Sequence, residues 1–156
     1  MKYSYFSLVY AAPLNHFIMS LPLIQGLGHV GVVVPSINEA REFYTSKLGI
    51  PTTEPKELAK GLLISFAELQ NAKIEIIQPL DMDSPHGKFL KDHPKGGVHH
   101  ICFNTSKLEP AVKEVNKVGI EATSEDPLVL TTGERVIFLN EEQTLGTITE
   151  FYETNQ

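Results

Sequence analysis

The sequence predicts an α+β fold in which two βαβββ modules share one partly closed mixed sheet. Three observations predict it. First, His29 to Gly49-Ile50 and His100 to Gly119-Ile120 both run His, strand, helix, Gly-Ile, and they differ in length by one residue. Second, each run is followed by a hairpin. Third, the second strand of each hairpin carries a glutamate: Glu75 in Lys73-Ile74-Glu75-Ile76-Ile77 and Glu150 in Thr147-Ile148-Thr149-Glu150-Phe151. Repeats this short do not form independent solenoid units, so two modules sharing a sheet is the economical arrangement.

The elements follow in order. His29-Val30-Gly31-Val32-Val33-Val34 is a β-rich run stopped by Pro35-Ser36. Ser36 and Glu39 have the spacing of a capping box, and Ile37, Ala40, Phe43, Tyr44 and Leu48 recur at helical spacing. Gly49 ends that helix. A polar stretch with Pro51 and Pro55 reads as a loop. Leu62 to Leu69 and Lys73 to Gln78 read as strands joined at Gln70-Asn71-Ala72. Ser84-Pro85 pairs an N-cap with a proline at the first helical position and opens a short helix through Leu90. Pro94 to Gly97 is a loop. Val98 to Phe103 is a strand, and Leu108, Ala111, Val112, Val115 and Val118 form a helical stripe closed by Gly119-Ile120. Thr132-Gly133 is a turn. Arg135 to Leu139 and Thr147 to Tyr152 are the last two strands, with Gly146 in the turn between them.

The chain has 156 residues, 42% hydrophobic and 21% charged, which is ordinary for a globular protein. The expected organisation is an N-terminal extension over 1–22 and a single domain over 23–156, with modules at about 27–80 and 98–153. Met1 to Ile18 is apolar and aromatic, but Ala12-Pro13-Leu14-Asn15-His16 interrupts it, so it is read neither as a membrane span nor as a clean signal peptide. Met19 is an alternative start. The net charge of −6 argues against a nucleic-acid partner, which would need basic surface to neutralise phosphates. One cysteine, Cys102, excludes an intrachain disulfide and fits a reducing, cytoplasmic setting.

Two histidines and two glutamates occupy matching places in the two modules: His29, Glu75, His100 and Glu150. A twofold-like arrangement would bring them together. Two imidazoles and two carboxylates suit one divalent ion, and Co²⁺, Zn²⁺, Ni²⁺, Mn²⁺ or Fe²⁺ all remain open. Along the strands, Glu75 shares a face with Ile77, and Glu150 with Ile148 and Tyr152. A carboxylate on an apolar face is costly unless it is paired or coordinates a metal. Lone histidines are ordinarily surface or core residues, but recurrence in both halves requires chance to act twice. His99 is the rival to His100. The two alternate faces, so only one should point inward, and the repeat aligns His100 with His29. His16, His86 and His93 lie in the extension, a helix or loops and are read as having no role.

At these residues the sequence resembles the vicinal oxygen chelate superfamily, with its glyoxalase-like fold. Within it, four runs resemble the methylmalonyl-CoA epimerase family: Gly28-His29-Val30-Gly31-Val32-Val33-Val34-Pro35, Glu68-Leu69-Gln70-Asn71-Ala72-Lys73-Ile74-Glu75-Ile76-Ile77-Gln78-Pro79-Leu80, Asp83-Ser84-Pro85-His86-Gly87-Lys88-Phe89-Leu90 and Gly96-Gly97-Val98-His99-His100-Ile101-Cys102-Phe103. The resemblance covers about residues 27–153. The Ser-Pro helix and the long connection from Glu75 to His100 favour the epimerase over glyoxalase I.

The resemblance implies an isomerase that interconverts the C2 epimers of methylmalonyl-CoA through an enolate. A divalent metal held by His29, Glu75, His100 and Glu150 would act as Lewis acid and template, and Glu150 would be the catalytic base. It also implies an acyl-CoA substrate and a homodimer. One position departs from the pattern: some family members carry a second glutamate where this chain has Ile64, which cannot move a proton. Glu75 is then the remaining carboxylate for the other face. Lys88, Lys91 and Lys95 are candidates for the CoA phosphates, against the plainer reading of a solvated charged face. The alternatives are a glyoxalase I-type lactoylglutathione lyase, a small-molecule binding protein of the same fold, and an iron dioxygenase, in which a second glutamate would block an open position.

Overall fold

The computed structural model describes residues 23–154, so the N-terminal extension lies outside the described residues. The first module runs β1 (Ile24–Val33), α1 (Ile37–Glu42), β2 (Lys56–Ala59), β3 (Leu62–Glu68) and β4 (Lys73–Pro79). A linking helix, α2 (Pro85–Asp92), follows. The second module runs β5 (Gly97–Thr105), α3 (Leu108–Asn116), β6 (Leu128–Val129), β7 (Arg135–Leu139) and β8 (Thr149–Glu153). The eight strands form one sheet in the order β2-β3-β4-β1-β5-β8-β7-β6. Exchanging the modules reverses that order onto itself, so the repeat in the sequence is a pseudo-twofold axis in the fold.

The axis passes between β1 and β5, which pair antiparallel. Each is flanked by the last strand of its own module in parallel, β4 beside β1 and β8 beside β5. The far ends of the sheet approach one another: Thr131, just beyond β6, donates its N–H to the Leu58 carbonyl of β2 at 2.8 Å. Its hydroxyl donates to the Glu57 carbonyl at 3.3 Å. The sheet is therefore curled almost to closure, as the sequence predicts.

Local chemistry sets the helix ends. Ser36 caps α1 by accepting from Glu39 N–H at 3.3 Å, and Ser84 caps α2 by accepting from Gly87 N–H at 3.0 Å. After Glu42 the first helix widens into a π-helical turn, Phe43–Lys47, with Leu48 N–H reaching back to the Phe43 carbonyl at 3.2 Å. Gly49 and Gly119 then reverse the chain at φ +69 and +85, values that favour glycine.

Helices α1 and α3 cover the outer side of the sheet, and α2 packs on the inner side beside the cavity, through three buried clusters. Ile37 of α1 meets Ala67 and Ile76; Leu90 of α2 meets Val33, Ile64 and Ile77; Leu108 and Ala111 of α3 meet Ile137, Leu139 and Phe151. Arg135 ties α3 down by donating to Glu109 and Glu153, both at 2.6 Å. No helix among the described residues is long and apolar enough to cross a membrane.

The elements expected from periodicity are present, with longer β1, β5 and α2 than the patterns mark. The polar stretch read wholly as a loop after Pro51 contains β2. Both β2 and β6 are short edge strands without a repeating apolar pattern, because only one neighbouring strand and little core constrain them.

Candidate metal centre

Strand pairing delivers the four matched residues to one place. Gly31 of β1 faces Glu75 on β4 and His100 on β5. Cys102 of β5 faces His29 on β1 and Glu150 on β8. Gly31 and Cys102 each stand two residues after a module's histidine, so the two rows exchange under the pseudo-twofold.

Gly31 has a steric reason to be glycine. A Cβ there would fall inside the His100 imidazole. The ring lies across the bare backbone, which lets it reach the axis.

The donor atoms converge. His29 Nε2 lies 3.1 Å from His100 Nε2, 3.2 Å from Glu75 Oε2 and 3.1 Å from Glu150 Oε2. His100 Nε2 lies 3.5 Å from Glu75 Oε2 and 3.4 Å from Glu150 Oε2. Donors this far apart fit around a point about 2.0–2.2 Å from each, the bond length of a divalent transition ion to imidazole or carboxylate. Glu150 Oε2 is buried and has no hydrogen bond of acceptable direction, although two imidazole nitrogens lie within 3.4 Å. Lone pairs aimed at a common point produce that combination. The residues present therefore fit a divalent cation.

Electrostatics agree. Burial disfavours a charged His29, but contacts with Cys102, Glu150 and Glu75 outweigh it and push its imidazole up to about 12. His100 is raised in the same way: burial opposes, while Glu150 and Glu75 prevail. Burial likewise opposes ionised Glu75, but the two histidines draw it down to about 2; Glu150 moves in the same direction for the same reasons. Two buried carboxylates thus demand positive charge between them, supplied by protons when no metal is bound.

A cavity of about 420 Å³ opens over this cluster. Phe66 and Phe138, at matching places in the modules, line it beside Ile64, Leu62, Val136 and Tyr152. A second cavity of about 630 Å³ adjoins it, sharing Ala59, Leu62, His86, Leu128 and Phe138. Ile64 is buried in the wall, so no carboxylate approaches from that strand. Lys88, Lys91 and Lys95 line neither cavity, and Lys91 pairs with Asp83 at 2.9 Å; Lys73 and Lys60 line one cavity each.

Two histidines behave otherwise than the sequence reading expects. His86 lines both cavities and stacks on His99, with ring centroids 4.4 Å apart. His99 does not simply turn away from His100: their Nδ1 atoms are 3.0 Å apart. The reason is a β-bulge. Gly31 faces His100 but Val32 faces Val98, leaving His99 as the extra residue, and a bulge breaks the strict alternation of faces. The first module has its counterpart at Gly28, skipped between Leu27 and His29. His86 could be found only from the tertiary fold, since its spacing on α2 carries no relation to the repeat. His93 reaches its own helix, with Nδ1 3.1 Å from the Phe89 carbonyl, and His16 lies outside the described residues.

Comparison with known proteins places this geometry. A family model described as the Glyoxalase/Bleomycin resistance protein/Dioxygenase superfamily matches residues 28–138. The mitochondrial methylmalonyl-CoA epimerase of Bos taurus is 37% identical over 125 residues, 80% of this chain and 71% of the relative. That of Homo sapiens is 34% identical over 139 residues, 88% of this chain and 79% of the relative. The crystal structure of methylmalonyl-CoA epimerase from Mycobacterium tuberculosis shares the fold with a TM-score of 0.78 at 24% identity, covering 90% of this chain and 95% of that one. The chain belongs to the methylmalonyl-CoA epimerase family of the glyoxalase, bleomycin resistance protein and dioxygenase superfamily.

Proposed function

We propose that the protein is an isomerase that interconverts the C2 epimers of methylmalonyl-CoA, with His29, Glu75, His100 and Glu150 as the ligands of one divalent ion. The observation that carries the reading is the convergence of these four side chains at the base of a cavity, in a chain similar to named epimerases along most of its length. Cobalt, zinc, nickel and manganese all suit two imidazoles and two carboxylates. Held by these residues, such an ion would supply Lewis acidity to the substrate's oxygens and so lower the barrier to proton removal at C2.

The chain's own residues do the rest. Glu150 is the base: its second carboxylate oxygen belongs to a buried group lining the cavity, so proton transfer proceeds away from bulk water. Phe66, Phe138, Leu62 and Val136 form apolar walls that exclude water from the enolate. With Ile64 inert, Glu75 is the carboxylate left to serve the opposite face, a role it can take on leaving the metal. The adjoining cavity, continuous through His86 and Leu62, suits the thioester's long arm, with Lys60 at its margin.

The domain over 23–156, a homodimer and a cytoplasmic location complete the reading. The single cysteine supports a reducing compartment. The cattle and human relatives are named as mitochondrial, and fractionation of the native host decides between the two. Light scattering of the purified chain tests the dimer.

The decisive assay follows deuterium entry at C2 of methylmalonyl-CoA in D₂O, beside turnover of the methylglyoxal–glutathione adduct. Exchange with the first and silence with the second is the expected result. Turnover of the adduct alone would replace the epimerase with the lyase.

A further inference from the structure

His99 has an unusual setting for a residue next to a candidate ligand. Most second partners of metal-bound histidines are carboxylates or backbone carbonyls. Here His100 Nδ1 meets another imidazole nitrogen, His99 Nδ1, at 3.0 Å. A contact of that length between two ring nitrogens requires one proton between them.

The chemistry of the other ring edge decides which ring holds it. His100 Nε2 faces His29, Glu75 and Glu150 at 3.1–3.5 Å. A neutral imidazole that gives its Nε2 lone pair to a cation must carry its proton on Nδ1. His100 Nδ1–H therefore donates, His99 Nδ1 accepts, and His99 keeps its own proton on Nε2. The wall of the second cavity includes His99.

The acceptor is held in place from outside the sheet. His86 of α2 stacks on the His99 ring at 4.4 Å with 30° between planes. One helical turn on, Phe89 meets the same ring edge-on at 5.1 Å and 84°. The bulge turns His99 toward His100, and α2 clamps it there. The first module offers no such partner, because the equivalent bulge residue is Gly28; His29 meets the Cys102 thiol instead.

We propose that His99 is a positioning residue that fixes the tautomer and orientation of His100 for metal binding, and that His86 and Phe89 of α2 hold it in that role. This rests on the metal reading given above. It makes the two pseudo-symmetric histidines unequal, and it couples the linking helix to the metal centre.

The test uses Co²⁺ and Zn²⁺ as probes of the full chain. His99→Phe keeps the ring and loses the acceptor; His99→Asn restores an acceptor oxygen near the same place. Co²⁺ affinity, read from its visible spectrum against a competing chelator, should fall about ten- to a hundredfold in His99→Phe and largely recover in His99→Asn. Nitrogen-15 spectra of the Zn²⁺-loaded wild type should show His100 protonated at Nδ1, a measurement that needs no variant to fold. Co²⁺ affinity of a folded His99→Phe within about twofold of wild type, against that tenfold expectation, would overturn the positioning role. So would a His100 Nδ1 without a proton. Failure of the wild type itself to bind Co²⁺ or Zn²⁺ would instead remove the metal reading on which the proposal stands.

Discussion

Gly31→Ala tests whether the centre depends on a missing side chain. The added Cβ would sit inside the His100 ring. Gly31 is not among the glycines with positive φ, so the backbone itself tolerates alanine and the nearest obstacle is the imidazole. That imidazole is 2% exposed and is held by Phe138, edge-on at 5.6 Å, and by His99. It cannot swing aside without leaving its neighbours. Overpacking of this kind costs about 1–3 kcal/mol. Gly26, on the same strand, has nothing within 4 Å of its added Cβ and serves as the control. There alanine only restricts the unfolded chain, a gain of about 0.4–1 kcal/mol where strand geometry accepts it. The two variants should differ in melting temperature by roughly 4–12 °C in a chain of this size. Displacing His100 should also lower Co²⁺ affinity at least about tenfold in Gly31→Ala and leave it unchanged in Gly26→Ala. Thermal melts of the metal-free chains and a Co²⁺ titration read both effects. A Gly31→Ala protein that melts with Gly26→Ala and binds Co²⁺ like wild type would refute the reasoning.

Other outcomes follow from the same geometry. Glu150→Gln should reduce kcat for C2 deuterium exchange by about a hundredfold or more; a variant at wild-type rate would remove Glu150 as the base. Glu75→Gln should slow washout of the substrate α-deuterium, and undiminished exchange together with full epimerisation would exclude it as the second base. In the metal-free chain His29 is raised to about 12, so it is protonated at pH 7, and His100 moves in the same direction. Metal binding at pH 7 should then release at least about one proton, detected by calorimetry in buffers of different ionisation enthalpy. Absence of buffer dependence would contradict the charge assignment. The sign for stability runs two ways. The raised His29 stabilises the metal-free fold below its ordinary value near 6.5, and that contribution fades as pH climbs toward about 12; the lowered Glu75 contributes above its ordinary 4.5 and fades as pH falls toward about 2. Urea melts of the metal-free chain should therefore be most resistant between those ordinary values. Phe151→Ala, emptying a 2%-exposed site under α3, should cost about 3–5 kcal/mol by denaturant melt.

The modules, the helices and the four candidate ligands are legible in the chain because duplication leaves a record: His29 and His100, then Glu75 and Glu150, hold matching places, and no single histidine carries that information. Alternation along a strand also put Glu75 with Ile77, and both line the cavity. Periodicity fails elsewhere, where pairing between distant segments takes over. The short edge strands β2 and β6 exist through one-sided pairing and carry too few inward side chains to mark a pattern. The bulge at His99 is a property of how β5 registers on β1, so no reading of β5 alone could undo the expected alternation. His86 reaches the centre only because α2 packs beside β1. Local sequence fixes which faces a chain would bury; the register between distant strands fixes which side chains then meet, and the environment of His100 depends on the second.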